Sequence, residues 1–102
     1  MNKNNIFANY NKQNDMFEIL KIKDVQLKLG SWAKTARKNQ HLSQDQLAET
    51  LALSRITIQN LESGKNTTLD TLLKVMQHFD VLEKFDAFLQ NEIDNHQYKS
   101  MY

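Results

Sequence analysis

Three helix-start signals follow one another closely in the middle of the chain, and they limit what this segment can fold into. Ser43 is followed three residues later by Gln46, which is the S-x-x-Q form of the capping box. Ser54 and Thr68 are further N-cap residues, each placed before apolar residues at helical spacing. The first two signals leave room between them for a helix of only about two turns. The pattern predicts short helices joined by tight turns.

Residues that break helices are rare throughout the chain, which has no proline and two glycines. Apolar residues recur at helical spacing, and no internal repeat is visible. We predict an all-α fold of five helices that begin at the N-caps Asp24, Ser43, Ser54 and Thr68 and near Leu82. The residues predicted to face the core of the first four helices are Val25, Leu29, Trp32, Ala33, Ala36, Leu47, Ala48, Leu51, Ile58, Leu61, Leu69, Leu72, Leu73, Val75, Met76 and Phe79.

The fifth helix is predicted to end near Ile93 and carries an apolar stripe that includes Phe85, Phe88 and Leu89. Two uses of this stripe remain open, because it could pack under the fourth helix or form a two-fold interface. Gly64 is expected to end the third helix in a left-handed conformation.

The predicted domain covers residues 16–95, between a flexible polar N-terminal arm at residues 1–15 and a tail at residues 96–102. The arm contains six asparagines and few apolar residues, so it buries too little surface to offset the entropy of ordering. It is also too polar for a signal peptide, and no apolar run approaches the roughly 20 residues of a membrane span. With no cysteine, disulfides and thiolate metal sites are excluded. We expect a cytoplasmic protein.

Charge is unevenly distributed, although the formal net charge is only +1. Between Lys23 and Lys65 there are seven Lys or Arg residues and four acids, whereas residues 83–94 hold four acids and one lysine. A cationic middle segment suits a protein that lays one face on phosphates and turns another face away.

Two short capped helices joined by a tight turn form the arrangement that places the second helix in the major groove of DNA. The positions predicted to face the bases lie on the side of the third helix opposite Ile58 and Leu61, and they are Ser54, Arg55, Ile56, Thr57, Gln59 and Asn60. Arginine can bond guanine, amide side chains can bond adenine, and isoleucine or the threonine methyl can contact thymine. Gln44, at the start of the second helix, and Lys65 are predicted to contact phosphates.

Each of these polar residues, taken alone, is more typical of an ordinary solvated helix surface. Their occurrence as a set on one face of a short capped helix favours DNA binding.

Other side chains with catalytic or ligating chemistry do not form a recognisable site. Glu62 is interpreted as a structural carboxylate that bonds backbone or a nearby cation. His41, His78 and His96 are widely separated and lack metal-ligand spacing. No phosphate loop, nucleophile elbow or Cys/His pair is present, so we predict that the protein is not an enzyme and has no cofactor or metal.

Three runs carry a family resemblance: Leu29 to Lys38, Leu42 to Ala48 (LSQDQLA), and Ser54 to Lys65 (SRITIQNLESGK). Over roughly residues 25–81 the chain resembles the phage-repressor-like, Cro/C1-type (XRE) helix-turn-helix family. Residues 66–76 further resemble HipB-type antitoxins, which are the DNA-binding partners of HipA-like kinase toxins.

The resemblance implies a five-helix lambda-repressor-like domain that binds an inverted-repeat operator as a homodimer and represses its own operon. It also implies base contacts from Arg55, Ile56, Thr57, Gln59 and Asn60 and, at the finer level, a HipA-like kinase toxin as partner. An alternative function is a protein-interaction module that neutralises a toxin without significant DNA binding. The chain departs from the family pattern at Ala52, which stands where relatives have glycine and must therefore accept a positive φ.

Overall fold

The computed structural model describes residues 18–100, with side chains described through residue 96. Within this range there are five helices and no strand: α1 (Ile22–Asn39), α2 (Gln44–Leu51), α3 (Arg55–Glu62), α4 (Leu69–His78) and α5 (Leu82–Ser100). The all-α prediction is therefore confirmed. The predicted N-terminal arm lies outside the described residues.

The predicted caps of the three middle helices are present. Ser43 Oγ accepts a hydrogen bond from the Gln46 N–H at 3.0 Å, and Gln46 Oε1 accepts one from the Ser43 N–H at 2.8 Å, which completes the capping box. Ser54 caps α3 and Thr68 caps α4, each by accepting a hydrogen bond from the third backbone N–H of its helix at 3.1 Å. These caps satisfy amide donors that a short helix would otherwise leave unpaired.

The turn between α2 and α3 adopts the left-handed conformation that the sequence required of Ala52. Its φ of 57° and ψ of 43° end α2, and the Leu53 N–H then donates to the Ala48 carbonyl at 2.8 Å. Gly64, with a φ of 78°, ends α3 as predicted. Both helices are thus held to two turns by defined backbone stops.

Two boundaries differ from the predictions. The first helix begins three residues earlier than Asp24 indicated, because the Asp24 carboxylate reaches back one turn and accepts a hydrogen bond from the Lys21 N–H at 3.0 Å. The last helix continues past Ile93 to Ser100, so the predicted tail begins inside it. After Ile93 there is no helix breaker, and Gln90 bonds Asp94 across one turn at 3.0 Å.

The core consists of two small clusters that share side chains. One contains Ala33, Leu61 and Val75, and the other contains Leu47, Ala48 and Ile58. Leu51 and Phe79 pack against both clusters, and Phe79 also meets Trp32 edge to face at a centroid distance of 6.0 Å. Side chains of α1, α2, α3 and α4 therefore meet in one continuous core.

Some residues predicted to be buried are exposed. Val25 on α1 is 40% exposed and Leu69 on α4 is 66% exposed. On α5, for whose stripe both packing and an interface were left open, Phe88, Leu89 and Ile93 are 57%, 42% and 48% exposed, whereas Phe85 is half-buried. Helical spacing places such residues on an apolar face but does not tell how far the neighbouring helix extends along that face.

The helices α1 and α3 pack closely together at Gly30. A Cβ atom at this position would lie 2.5 Å from the Leu61 carbonyl oxygen and 2.6 Å from that of Glu62. These atoms belong to the backbone and cannot rotate away, so a larger residue would force the two helices apart.

We expect Gly30→Ala to lower the free energy of unfolding by about 1–3 kcal/mol, even though alanine favours a helix, because the clash exceeds the gain in propensity. Urea denaturation of the full chain would measure the change. Ser31→Ala, at an exposed neighbouring position of α1, is the control and should change stability by less than about 0.5 kcal/mol. Equal stability of the two variants would contradict the close contact.

Candidate nucleic-acid interface

The first turn of α3 presents the most exposed of the predicted base-reading residues. Ile56 is 60% exposed and the Arg55 side chain is 58% exposed, although isoleucine is usually buried. Ile58 and Leu61 on the other side of α3 are buried in the two core clusters. The helix thus offers one face to solvent while its opposite face is fixed in the core.

The other predicted positions on α3 are partly used by the protein itself. Ser54 and Thr57 share a hydrogen bond of 2.8 Å between their hydroxyl groups, in addition to the capping bond. Thr57, Gln59 and Asn60 are half-buried, and the Asn60 carbonyl accepts hydrogen bonds from the Lys65 N–H and the Ser63 hydroxyl. The structure therefore places Ser54, Arg55 and Ile56 as the exposed leading edge and Thr57, Gln59 and Asn60 along its flanks.

Arg55 lies near an acid from the preceding helix. Its Nε is 3.8 Å from Asp45 Oδ1, and both side chains are more than half exposed. Exposed pairs of this length contribute little to stability, so a DNA group can replace Asp45 at small cost. Arg55 is consequently held near the surface of α2 but remains available.

Behind this surface, a buried ion pair joins the end of α1 to the end of α3. Arg37 Nε donates to Glu62 Oε2 at 2.6 Å and a terminal nitrogen donates to Glu62 Oε1 at 3.0 Å. The other terminal nitrogen of Arg37 donates to the Leu42 carbonyl at 2.8 Å. The two side chains are only 8% and 4% exposed. Such a two-pronged contact fixes the relative orientation of the helices as well as neutralising both charges.

The same carboxylate also holds Gln44, the predicted phosphate contact at the first position of α2. Gln44 Nε2 donates to Glu62 Oε1 at 3.0 Å. One amide hydrogen and the amide oxygen of Gln44 remain for another partner. Lys65, the second predicted phosphate contact, is exposed just beyond the end of α3.

The sequence correctly indicated that Glu62 is structural, but it missed the residue that pairs with it. Arg37 is not among the residues predicted to face the core, yet it is buried. A signal was present in the spacing, because Arg37 follows Ala33 by one helical turn and so lies on the buried face. The relation to Glu62 spans 25 residues and has no local signature.

Burial and charge act in opposite directions on the Glu62 carboxyl. Burial by itself raises its pKa. The hydrogen bonds from Arg37 and Gln44 and the charges of Arg37 and Lys34 together lower the pKa by more than burial raises it, so the pKa lies below its ordinary value. The pKa of Arg37 is raised, chiefly by the hydrogen bond to Glu62. The pair is therefore ionised at neutral pH.

Comparison with protein families agrees with this geometry. Residues 34–83 match a family model described as helix-turn-helix. The match begins within α1, includes α2, α3 and α4, and ends at the start of α5. Residues 34–83 are thus similar to a helix-turn-helix family whose members are typically sequence-specific DNA-binding regulators rather than enzymes. No curated protein gives a match to the chain.

This match confirms the helix-turn-helix part of the resemblance, and the HipB-type relationship stays a prediction. Among the described residues there is no group of three or more His, Cys, Asp or Glu side chains placed to hold a metal ion. None of the described helices is long and apolar enough to cross a membrane.

The lowered pKa of Glu62 predicts a specific loss of stability in acid. Because the folded-state pKa is below the unfolded one, the stabilisation is complete above the ordinary pKa of glutamate and disappears as the pH falls through the folded value. We expect Glu62→Gln to lower the free energy of unfolding at pH 7 by about 3–5 kcal/mol, since Arg37 loses its charged partner.

In the same variant the decline of stability between about pH 5 and pH 2 should be shallower than in the wild type. Denaturation at a series of pH values would measure both effects, with Glu49→Gln on the exposed side of α2 as the control. Parallel pH profiles for the wild type and Glu62→Gln would show that Glu62 does not titrate with folding.

Proposed function

We propose that this protein is a sequence-specific DNA-binding transcriptional repressor, and that α3 lies in the major groove when it binds. The observation that carries the proposal is the exposed leading edge of α3, where an arginine and an isoleucine face solvent on a helix that is fixed on its other side. Arginine and isoleucine are suited to guanine and to the thymine methyl, respectively.

A titration of the protein with operator DNA and with random DNA at several salt concentrations would test this function. The operator can be selected from a pool of random duplexes by repeated binding and amplification. We expect specific binding that is about 10³-fold or more tighter than random binding, and both affinities should fall as salt increases. The alternative, an interaction module without DNA affinity, would show neither salt-dependent nor sequence-dependent binding.

Arg55 and Lys65 are expected to act differently on this DNA. Arg55→Ala should weaken specific binding by about 1–3 kcal/mol and relax the preference at one base pair. Lys65→Ala should weaken binding to operator DNA and to random DNA by the same factor, because a phosphate contact carries no sequence information. Binding of both variants to single-base operator variants would separate the two effects. An unchanged specificity ratio in Arg55→Ala would mean that α3 is oriented differently.

We also propose that the protein binds its operator as a homodimer through the outer face of α4 and α5. This face contains the exposed side chains of Leu69, Phe88, Leu89 and Ile93 and a groove of about 550 Å³ beside Phe85. Exposed apolar surface of this kind is typical of interfaces. A second copy is the proposed occupant, since a two-fold axis would pair the same stripe with itself, and half-sites one helical turn apart require two copies of α3 about 34 Å apart.

Sedimentation at micromolar concentration would test the dimer. We expect the wild type to be dimeric and Phe88→Asp to be monomeric, because a carboxylate would be buried against an apolar partner. Ala87→Asp adds the same charge at a neighbouring exposed position on the opposite side of α5 and should remain dimeric. A monomeric wild type would refute this interface.

The finer proposal is a HipB-like antitoxin that represses its own operon and binds a HipA-like kinase toxin. Its support is the resemblance of residues 66–76, which include the first turns of α4. Co-expression with a kinase-like protein encoded beside this one, followed by affinity purification, tests it. Stable capture and relief of toxicity are expected, whereas a neighbouring frame without a kinase-like product would argue against the assignment.

A further inference from the structure

A polar cavity of about 320 Å³ opens beside the C-terminal half of α3, where α1, α2 and α3 meet. All of its lining residues are polar or charged: Lys34, Gln44, Gln59, Asn60, Glu62, Ser63 and Lys65. Gln44 and Lys65 are the two predicted phosphate contacts, and the cavity shows that they face a common space. Lys34 on α1 was not among the predicted DNA contacts.

The cavity carries a net positive charge. Its one acid, Glu62, is neutralised from behind by Arg37. Lys34 and Lys65 are both exposed, and neither makes a salt bridge or a side-chain hydrogen bond with any residue in the part of the chain that the structure describes. Two ammonium groups therefore remain to attract an anion.

The uncharged lining residues determine which anion fits. The free amide hydrogen of Gln44 and the amide groups of Gln59 and Asn60 are hydrogen-bond donors in the lining of the cavity, whereas the Ser63 hydroxyl already donates to the Asn60 carbonyl. Lysine binds phosphate as a point charge, and amides and hydroxyls are common partners of phosphate oxygens in DNA complexes. Lys34 and Glu62 both line the cavity, and the charge of Lys34 contributes to lowering the pKa of Glu62.

We propose that this cavity binds a phosphodiester group of the DNA backbone and that Lys34 is a phosphate-binding residue in it, beside Gln44 and Lys65. This inference rests on the proposed DNA-binding function. It also assigns Gln59, whose side chain lines the cavity, to the backbone rather than to the bases. Base reading is then concentrated in the first turn of α3, and the phosphate cavity sets how far that turn enters the groove.

The test is a comparison of Lys34→Gln with Lys28→Gln in the whole 102-residue chain, using operator and random duplexes. Lys28 is an exposed lysine of the same helix that lines a different cavity, near the N-terminal end of α1. Removing one phosphate contact should lower the slope of log affinity against log salt by about 0.9. Between 50 and 200 mM salt, affinity should consequently fall about 3.5-fold less for Lys34→Gln than for the wild type.

Lys34→Gln should weaken binding to both duplexes by the same factor. Lys34→Arg, which keeps the charge, should restore the wild-type slope of log affinity against log salt. Lys28→Gln should leave the slope unchanged. Thermal unfolding of each variant would verify that it is folded. If the wild type binds DNA and Lys34→Gln behaves as Lys28→Gln does, the assignment of Lys34 is overturned while the DNA-binding function stands.

Titration with inorganic phosphate, followed by NMR of the backbone amides, distinguishes a DNA phosphate from a free anion. We expect the amide signals around Lys34, Gln44 and Ser63 to shift only at millimolar phosphate, which would indicate weak binding. Tight phosphate binding there, combined with an unchanged DNA salt slope in Lys34→Gln, would overturn the backbone assignment in favour of a free anion. A wild type that does not bind DNA would overturn the phosphodiester assignment together with the proposed function.

Discussion

The contact between α1 and α3 is the constraint on which the rest of the domain depends. At Gly30 the backbones of the two helices are so close that no side chain fits between them. One end of this contact is tied by Lys23, whose Nζ donates to the Gly64 carbonyl at 2.6 Å, and the other end by the pair of Arg37 with Glu62. An eight-residue helix such as α3 is too short to be stable in water alone. Its position comes from α1.

This constraint also explains how a short helix can present a defined recognition surface. The buried carboxylate of Glu62 accepts hydrogen bonds from Arg37 of α1 and from Gln44 of α2. One acid at the end of α3 thus orients the start of the helix before it, across the turn at Ala52. Contacts on the buried side of α3 position its exposed side chains. A helix that is too short to be stable alone can therefore present a defined surface.

Much of the fold could be predicted because its signals are local. Ser43, Ser54 and Thr68 each satisfy an amide three residues away. The positive φ of Ala52 was instead expected from the family resemblance, because relatives have glycine at that position. The partner of Arg37 could not be predicted, because tertiary packing brings it from a distant helix. The polar cavity at Lys34 was missed for the same reason, since its lining comes from three helices.

Phe79 packs against both core clusters, one formed by residues of α1, α3 and α4 and the other by residues of α2 and α3. A side chain shared in this way makes the two clusters open together, because neither can lose its packing without exposing the ring that serves the other. A molecule bound at α3 therefore stabilises the whole unit by mass action. Binding at α3 would therefore slow hydrogen exchange in α4 as well.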